Sequence, residues 1–208
     1  MSLTPLGRRL RRKKEGTERP PRDVRAYVRA RRAHLRELIL FGMLATLMFA
    51  SKILMEALPN IHLLGMLTMV YTLVFRAKAL VPIYTYVLMN GLYAGFNLWW
   101  VPFLYIWTVL WLLTMLLPKK MPRAVAAVVY PAVCALHGFA YGALYAPAQA
   151  LLFGLDPTET VAWILAGIPF DLIHGISNIF VGLLVLPLSE LLRWLYQRGD
   201  PTHVRDGA

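Results

Sequence analysis

Three polar side chains lie at helical spacing inside a long apolar segment near the C-terminus. Asp171, His174 and Asn178 are separated by three and four residues, so a helix would place all three on one face. An ionisable group in membrane hydrocarbon costs a few kcal/mol and therefore usually lies in a protein interior or a water-filled cavity. The pattern predicts a polar stripe that either binds a ligand or forms a structural pair.

The composition indicates that this segment belongs to an integral membrane protein. Of the 208 residues, 58% are hydrophobic and 16% are charged, whereas a soluble domain carries about 25% charged residues. Of the 22 Lys and Arg residues, 13 lie within positions 1–36. We therefore predict an all-α membrane protein with a basic, partly disordered cytoplasmic tail (1–36), a membrane domain (37–192) and a short cytoplasmic C-terminal tail (193–208).

Six transmembrane helices are predicted in the membrane domain, most of them near or above the ~20 residues that one crossing requires. Turn-forming or charged residues separate the apolar segments. The predicted spans are residues 37–57, 60–75, 79–96, 99–117, 123–153 and 158–192.

The basic residues predict the orientation of these helices. Lys and Arg occur in the tails and after the second and fourth spans, whereas the loops after the first, third and fifth spans contain none. The positive-inside rule then places both termini in the cytoplasm. Because residues 8–14 carry no interleaved aromatic residues, we interpret the tail as a topology signal that contacts anionic lipid, and we expect no nucleic-acid partner.

Polar residues from different spans are predicted to share one layer of the membrane. At ~1.5 Å per residue from the basic end, Lys52, Asn90, His137 and Asp171 all fall in the outer half of a core about 30 Å thick. An aromatic-lined pocket with a few fixed polar groups is the usual form of a small-molecule site, so we expect a cavity open to the outside. External loops add further groups at this level, namely Glu56, Asn60, His62, Asn97, Trp99 and Trp100.

Simpler structural interpretations exist for several of these residues. His137 could form only a helix–helix hydrogen bond, and Lys52 could pair with Glu56 one turn away. Trp99 and Trp100 could belong to an interfacial aromatic belt. The occurrence of these groups in one layer favours a shared binding site.

Two rows of small residues indicate close helix packing, because such rows let another helix approach. The approaching helix could belong to the same chain or to a second subunit. The rows are Gly42, Thr46 and Ala50 in the first span and Gly138, Gly142 and Ala146 in the fifth.

Motifs of catalysis and metal binding are missing from the sequence. The single cysteine, Cys134, can form no intrachain disulfide and supplies no metal cluster. Neither G-x-x-x-x-G-K-[ST] nor H-E-x-x-H occurs, so we expect no enzyme activity, no metal and no cofactor. Two alternatives stay open: a membrane scaffold or assembly protein, and an intramembrane enzyme that uses Ser177, His174 and Asp171.

Three segments within residues 37–192 resemble the S component, the substrate-binding membrane subunit, of energy-coupling factor (ECF) transporters. They are Leu58-Pro-Asn-Ile-His-Leu-Leu-Gly65, Trp99-Trp-Val-Pro-Phe-Leu-Tyr-Ile-Trp107 and Gly167-Ile-Pro-Phe-Asp-Leu-Ile-His-Gly-Ile-Ser-Asn178. The resemblance implies an S-component-like six-helix bundle in the plasma membrane of a prokaryote. It also implies uptake of a vitamin or similar micronutrient, with ATP hydrolysis coupled through a T component and two ATPase subunits.

The resemblance and the predicted polar layer together give the candidate site. In this family the pocket is formed by the outer parts of spans four to six and by the loops after spans one, three and five. The family's first span contacts the T component through an Ala-x-x-x-Ala row, which corresponds here to Gly42, Thr46 and Ala50. The substrate-binding candidates are Asn60, His62, Asn90, Trp99, Trp100, His137, Tyr141, Asp171, His174 and Asn178.

Overall fold

The computed structural model describes residues 22–198, and these residues form α-helices and short 3-10 turns but no β-strand. The predicted all-α fold is therefore confirmed for this part of the chain. Two 3-10 turns, Arg76–Ala79 and Leu98–Trp100, precede α3 and α4. The helices are α1 (Arg22–Leu54), α2 (Leu64–Phe75), α3 (Leu80–Ala94), α4 (Phe103–Leu116), α5 (Arg123–Phe139), α6 (Tyr141–Phe153), α7 (Pro157–Gly182) and α8 (Val185–Arg198).

The helices include several that could cross a membrane. Within residues 22–198, five stretches are long and apolar enough for a crossing, which indicates a multi-pass membrane protein. They are Ala26–Leu54, Leu64–Ala94, Leu98–Leu116, Arg123–Phe153 and Pro157–Gly182.

The chain forms two units, one up to Leu40 and one from Phe41 onward, and every tertiary contact given below lies within the second. Because α1 begins at Arg22, residues 22–36 of the predicted tail are helical. The rest of that tail, and the end of the C-terminal tail, lie outside the described residues.

The stretch Leu64–Ala94 changes direction at its centre. Phe75 at the end of α2 packs on Phe41, with ring centroids 5.3 Å apart, whereas Tyr93 at the end of α3 packs on Phe49 at 5.5 Å. The turn between them contains Arg76, which has a φ of 56°. The predicted segments 60–75 and 79–96 are therefore two legs joined by a tight turn.

The shorter leg, α2, is the most enclosed helix of the bundle. Ten of its twelve residues are buried, and it packs on α4, α5, α7 and α8. Its Tyr71 hydroxyl donates a hydrogen bond to the Leu44 carbonyl of α1. Since twelve residues span only ~18 Å, α2 alone is shorter than a membrane core.

The most extensive contact between helices is that of α7 with α5 and α6, and glycine residues allow these helices to approach closely. A Cβ added at Gly138 would lie 3.0 Å from the Gly175 Cα, and one at Gly182 would lie 2.7 Å from the Pro131 Cα. The row Gly138–Gly142 therefore packs inside the chain, which was one of the two interpretations of such rows.

Two predicted spans are interrupted. The segment 158–192 is not one helix, because Pro187 has no N–H and its ring conflicts with the carbonyl four residues earlier; α7 ends at Gly182. The segment 123–153 breaks at Ala140, where the Asp171 carboxylate accepts the Gly142 N–H and so inserts into the hydrogen-bond ladder. Each interruption ends one helix, and the next helix begins two or three residues further along the chain.

Basic residues meet at one end of the second unit, which we call the basic end. Arg76 donates to the Met115 carbonyl at 2.8 Å, Arg193 donates to the Leu73 carbonyl at 3.3 Å, and Arg123 pairs with Glu190 at 2.7 Å. The turn Arg76–Ala79, the α4–α5 loop and α8 therefore lie at the same level, as the distribution of charges in the sequence predicts.

Candidate functional site

Five ring side chains from five different segments meet away from the basic end, and we call them the histidine cluster. They are His62 of the α1–α2 loop, Trp107 of α4, His137 of α5, Tyr141 of α6 and His174 of α7. Ring centroids are 4.5 Å apart for His62 and His174, 4.8 Å for Tyr141 and His174, and 5.9 Å for Trp107 and His137. Four of the five belong to the predicted set of site residues.

The orientation of His137 fixes which of its nitrogens can bind a ligand. Its Nε2 lies 3.2 Å from the Ile106 carbonyl, which can only accept, so Nε2 carries the proton and donates. Its Nδ1 is then an acceptor, and this buried atom has no partner within the described chain. His137 thus forms the helix–helix hydrogen bond considered from the sequence and still offers a second polar atom.

Unpartnered polar atoms concentrate in and around the cluster. Leaving one buried polar atom without a hydrogen bond costs about 1–3 kcal/mol, and native proteins contain only a few such atoms per 100 residues. The buried atoms without a partner among the described residues are His62 Nδ1, Thr68 Oγ1, Tyr86 OH, Asn90 Oδ1, Trp107 Nε1, His137 Nδ1, His174 Nε2 and Asn178 Oδ1. The set contains both donors and acceptors, as the hydrogen-bonding edge of a planar ligand would require.

His62, the member of the cluster that lies in a loop, is uncharged. It lies between α1 and α2, outside the helices. Burial of its imidazole and, to a lesser extent, the neighbouring His137 lower the pKa of that group to about 4. The ring is therefore neutral near pH 7. Recognition by His62 would rely on directional hydrogen bonding and ring contact rather than on a full charge.

Two buried asparagines lie one turn away from rings in or next to the cluster. Asn178 lies one turn beyond His174, and its Nδ2 donates to the Cys134 carbonyl at 3.2 Å. Asn90 is buried on α3 one turn beyond Tyr86, whose ring centroid is 6.4 Å from that of Trp107. The structure therefore brings the predicted residues Asn90 and Asn178 to the border of the cluster.

Asp171 has a defined partner in the backbone. Its two carboxylate oxygens accept the Gly142 N–H at 3.0 and 3.1 Å, and Gly142 lies in the first turn of α6. An anion is stabilised at the N-terminus of a helix by the free N–H groups and by the helix dipole. The carboxylate thus links α7 to α6 one turn away from His174.

Trp99 and Trp100 hold neighbouring helices together. Trp100 Nε1 donates to the Val87 carbonyl at 2.9 Å, and its indole packs against Gly91. The Trp99 carbonyl accepts the Tyr145 hydroxyl at 2.7 Å. Trp99 packs on Phe103, with ring centroids 5.7 Å apart, and Trp100 packs on Phe96, at 5.0 Å, rather than on the histidine rings.

Asn60 and Ser177 fasten the α1–α2 loop. Asn60 has a φ of 60°, and its carbonyl accepts the Ser177 hydroxyl at 3.3 Å. That hydroxyl lies closer to the His174 carbonyl, at 2.9 Å. The Ser177 hydroxyl therefore bonds to two main-chain oxygens, one of the α1–α2 loop and one of α7.

Two further groups predicted from the sequence lie on α1. Lys52 pairs with Glu56 at 3.1 Å and lies over the Tyr93 ring, so it follows the simpler of its two interpretations. Gly42 and Thr46 are exposed, and a Cβ added at Gly42 would meet open space, whereas Ala50 is partly buried. Most of this row is therefore free of intramolecular packing among the described residues.

Trp107 and Tyr86 were absent from the predicted site. Both are fully buried in the middle of their helices. The available signal was position, because a tryptophan near the centre of a span cannot belong to an interfacial belt and its N–H needs a partner. The central position of Tyr86 in its span was a weaker signal of the same kind.

Among residues 22–198, no group of three His, Cys, Asp or Glu side chains is arranged to hold a metal ion. The cluster combines aromatic rings with hydrogen-bonding atoms. No protein-family model, curated protein or solved structure matches this chain, so its function must be inferred from these residues.

Proposed function

We propose that the protein is the substrate-binding membrane subunit of an ECF-type importer. It would capture a vitamin-like planar molecule from outside for uptake driven by a T component and two ATPase subunits. The observation that supports this function is the concentration of unpartnered donors and acceptors around the histidine cluster. A ligand that bonded to several of them would relieve a desolvation cost of about 1–3 kcal/mol for each atom.

The proposed arrangement has six crossings and cytoplasmic termini. In this arrangement α2, although shorter than the membrane core, and α3 are counted as separate crossings, and the basic end is cytoplasmic by the positive-inside rule. The cluster is then displaced toward the outside, below the α1–α2 loop. Opening of this loop would expose His62 and the rings beneath it, and the exposed Gly42–Thr46 surface of α1 is available to a T component.

A thermal-shift panel tests this function. Purified full-length protein is heated with individual planar vitamins and, separately, with non-planar solutes of equal mass. We expect one vitamin class to raise Tm in a concentration-dependent manner, because only the folded state would bind it. Failure of every compound to raise Tm, together with failure to co-purify with a T component, would contradict the proposal.

A membrane scaffold is the second candidate. The contact between His62 and His174, at 4.5 Å between centroids, favours it, because the cluster is filled by its own rings. If the protein is a scaffold, no small-molecule probe should bind at the rings of the cluster. An importer subunit predicts that ligand binding changes the solvent exposure of His62.

A further inference from the structure

A cavity lies at the basic end, built from residues that do not belong to the histidine cluster. Its volume is about 720 Å³. One carboxylate, that of Glu190, lines it together with a larger set of cations. These cations are Arg76, Lys119, Lys120, Arg123 and Arg193.

The arginines of this cavity are held in place yet retain free donors. Arg76 and Arg193 each donate one hydrogen bond to a main-chain carbonyl, and Arg123 donates to Glu190. A guanidinium has five N–H donors in a rigid fork, so each arginine keeps others for an anion. Lys119 and Lys120 are exposed and have no carboxylate partner within residues 22–198.

Backbone geometry at this cavity also departs from the ordinary. Arg76 has a φ of 56°, a conformation that costs a non-glycine residue of order 1–3 kcal/mol and that clusters at binding sites. The Trp111 indole donates to the Arg76 carbonyl at 3.1 Å, which holds that conformation. The Arg76 guanidinium is itself held at the basic end by its hydrogen bond to the Met115 carbonyl.

The remaining walls of the cavity are apolar. Leu73, Ala126 and Leu186 line it together with the buried Tyr130. A soluble phosphate would use only the cations, whereas an amphiphile would use both surfaces. Basic pockets between transmembrane helices at the cytoplasmic side are typical sites for anionic lipid headgroups.

We propose that this cavity binds the headgroup of an anionic phospholipid, with the phosphate among the arginines and lysines and the first acyl carbons along the apolar wall. Bound lipid would join the α4–α5 loop to α8. This proposal does not depend on the identity of the solute or on the importer function.

Lipid titration by native mass spectrometry tests the site. Delipidated full-length protein is titrated with phosphatidylglycerol or phosphatidylcholine, using the wild type, Arg193→Gln and Lys119→Gln/Lys120→Gln. The control is Arg198→Gln, which removes the same charge from the same helix; Arg198 lies 4.0 Å from the Trp194 ring centroid and does not line the cavity. We expect phosphatidylglycerol to bind preferentially and each neutralised lining cation to weaken it about fivefold.

Three results would overturn the proposal. Equal weakening by Arg198→Gln would indicate general surface attraction, and equal binding of the two lipids would remove the role of charge. Displacement of phosphatidylglycerol by submillimolar inorganic phosphate would identify a soluble anion as the ligand. Melting curves recorded without lipid separate a misfolded variant from a variant that has lost the site.

Discussion

The two ends of the helix bundle use polar groups in opposite ways. In and around the histidine cluster, eight buried side-chain atoms have no partner among the described residues, and all but Thr68 Oγ1 belong to rings or side-chain amides. At the basic end the polar groups are charged, largely exposed and partly paired, as in Arg123–Glu190. The first arrangement would select a ligand by the direction of hydrogen bonds, and the second would attract an anion of variable shape.

The difference has an energetic cause. A buried neutral group costs far less than a buried charge when no ligand is bound, so a deep site can hold several imidazoles but few ions. Charges are tolerated where water and lipid headgroups remain within reach. Asp171 is consistent with this rule, because its partly buried carboxylate accepts a hydrogen bond from the Gly142 N–H.

The largest effect is expected where the helices that frame the cluster touch. Gly138→Val would drive a side chain into the backbone of α7 near Gly175, so we expect loss of the folded protein or destabilisation of at least ~3 kcal/mol. Melting temperature and monodispersity in detergent measure it. Gly42→Val, at a position in open space, is the matched control and should leave Tm unchanged. Equal tolerance of both variants would contradict the packing described for α5 and α7.

A pair of tyrosines contrasts unpartnered with partnered hydroxyls. Tyr86→Phe removes a buried hydroxyl without a partner, so we expect the ligand-free protein to become more stable by about 1 kcal/mol. Tyr71→Phe removes the hydrogen bond to the Leu44 carbonyl and should destabilise by a similar amount. Thermal unfolding without ligand compares them, and a shift of the same sign in both would refute the contrast.

An effect of similar size is expected at Asp171. Asp171→Asn keeps an acceptor for the Gly142 N–H but loses the charge, so we expect a loss of stability of about 1 kcal/mol with ligand affinity retained. Thermal unfolding and a binding titration on the same sample separate these quantities. A large loss of affinity at unchanged Tm would instead support the ligand-contacting role predicted for Asp171 from the sequence.

Spacing alone anticipated part of this outcome. Helical periodicity brought His174 and Asn178 to one face, and depth along the spans brought His137 to their level. Periodicity could not show that the Asp171 carboxylate bonds to the backbone of α6, because that contact depends on the break at Ala140. It also missed Trp107, whose ring packs against residues of four other segments.

The interruption after Gly182 was available from the sequence, because Pro187 disfavours a continuous helix. Because the residues on both sides of the break are apolar, the hydrophobicity pattern predicts one continuous span there. The separation of Trp100 from the cluster had no such signal. Its indole turns toward Gly91 because of the local fold of residues 95–100.

A separate predicted effect, which develops only on acidification, is a pH dependence of stability. The pKa of His62 is lowered in the folded state from 6.5 to about 4, so the folded protein binds fewer protons than the unfolded chain between these values. Stability should be complete above pH 6.5 and should fall as pH decreases toward 4. His62→Gln should flatten the fall of Tm between pH 7 and pH 5; an unchanged slope would assign it to other groups.

The most direct test of the histidine cluster as a ligand site uses two tryptophans of one helix. Trp107→Phe removes an unpartnered N–H from the cluster, whereas Trp111→Phe, one turn away, removes an N–H that donates to the Arg76 carbonyl. The measurement is the fraction of purified protein that carries a co-purified small molecule, read by native mass spectrometry. We predict the same bound mass in the wild type and Trp111→Phe and its loss in Trp107→Phe. Equal occupancy in both variants, or no bound molecule in any sample, would contradict the account.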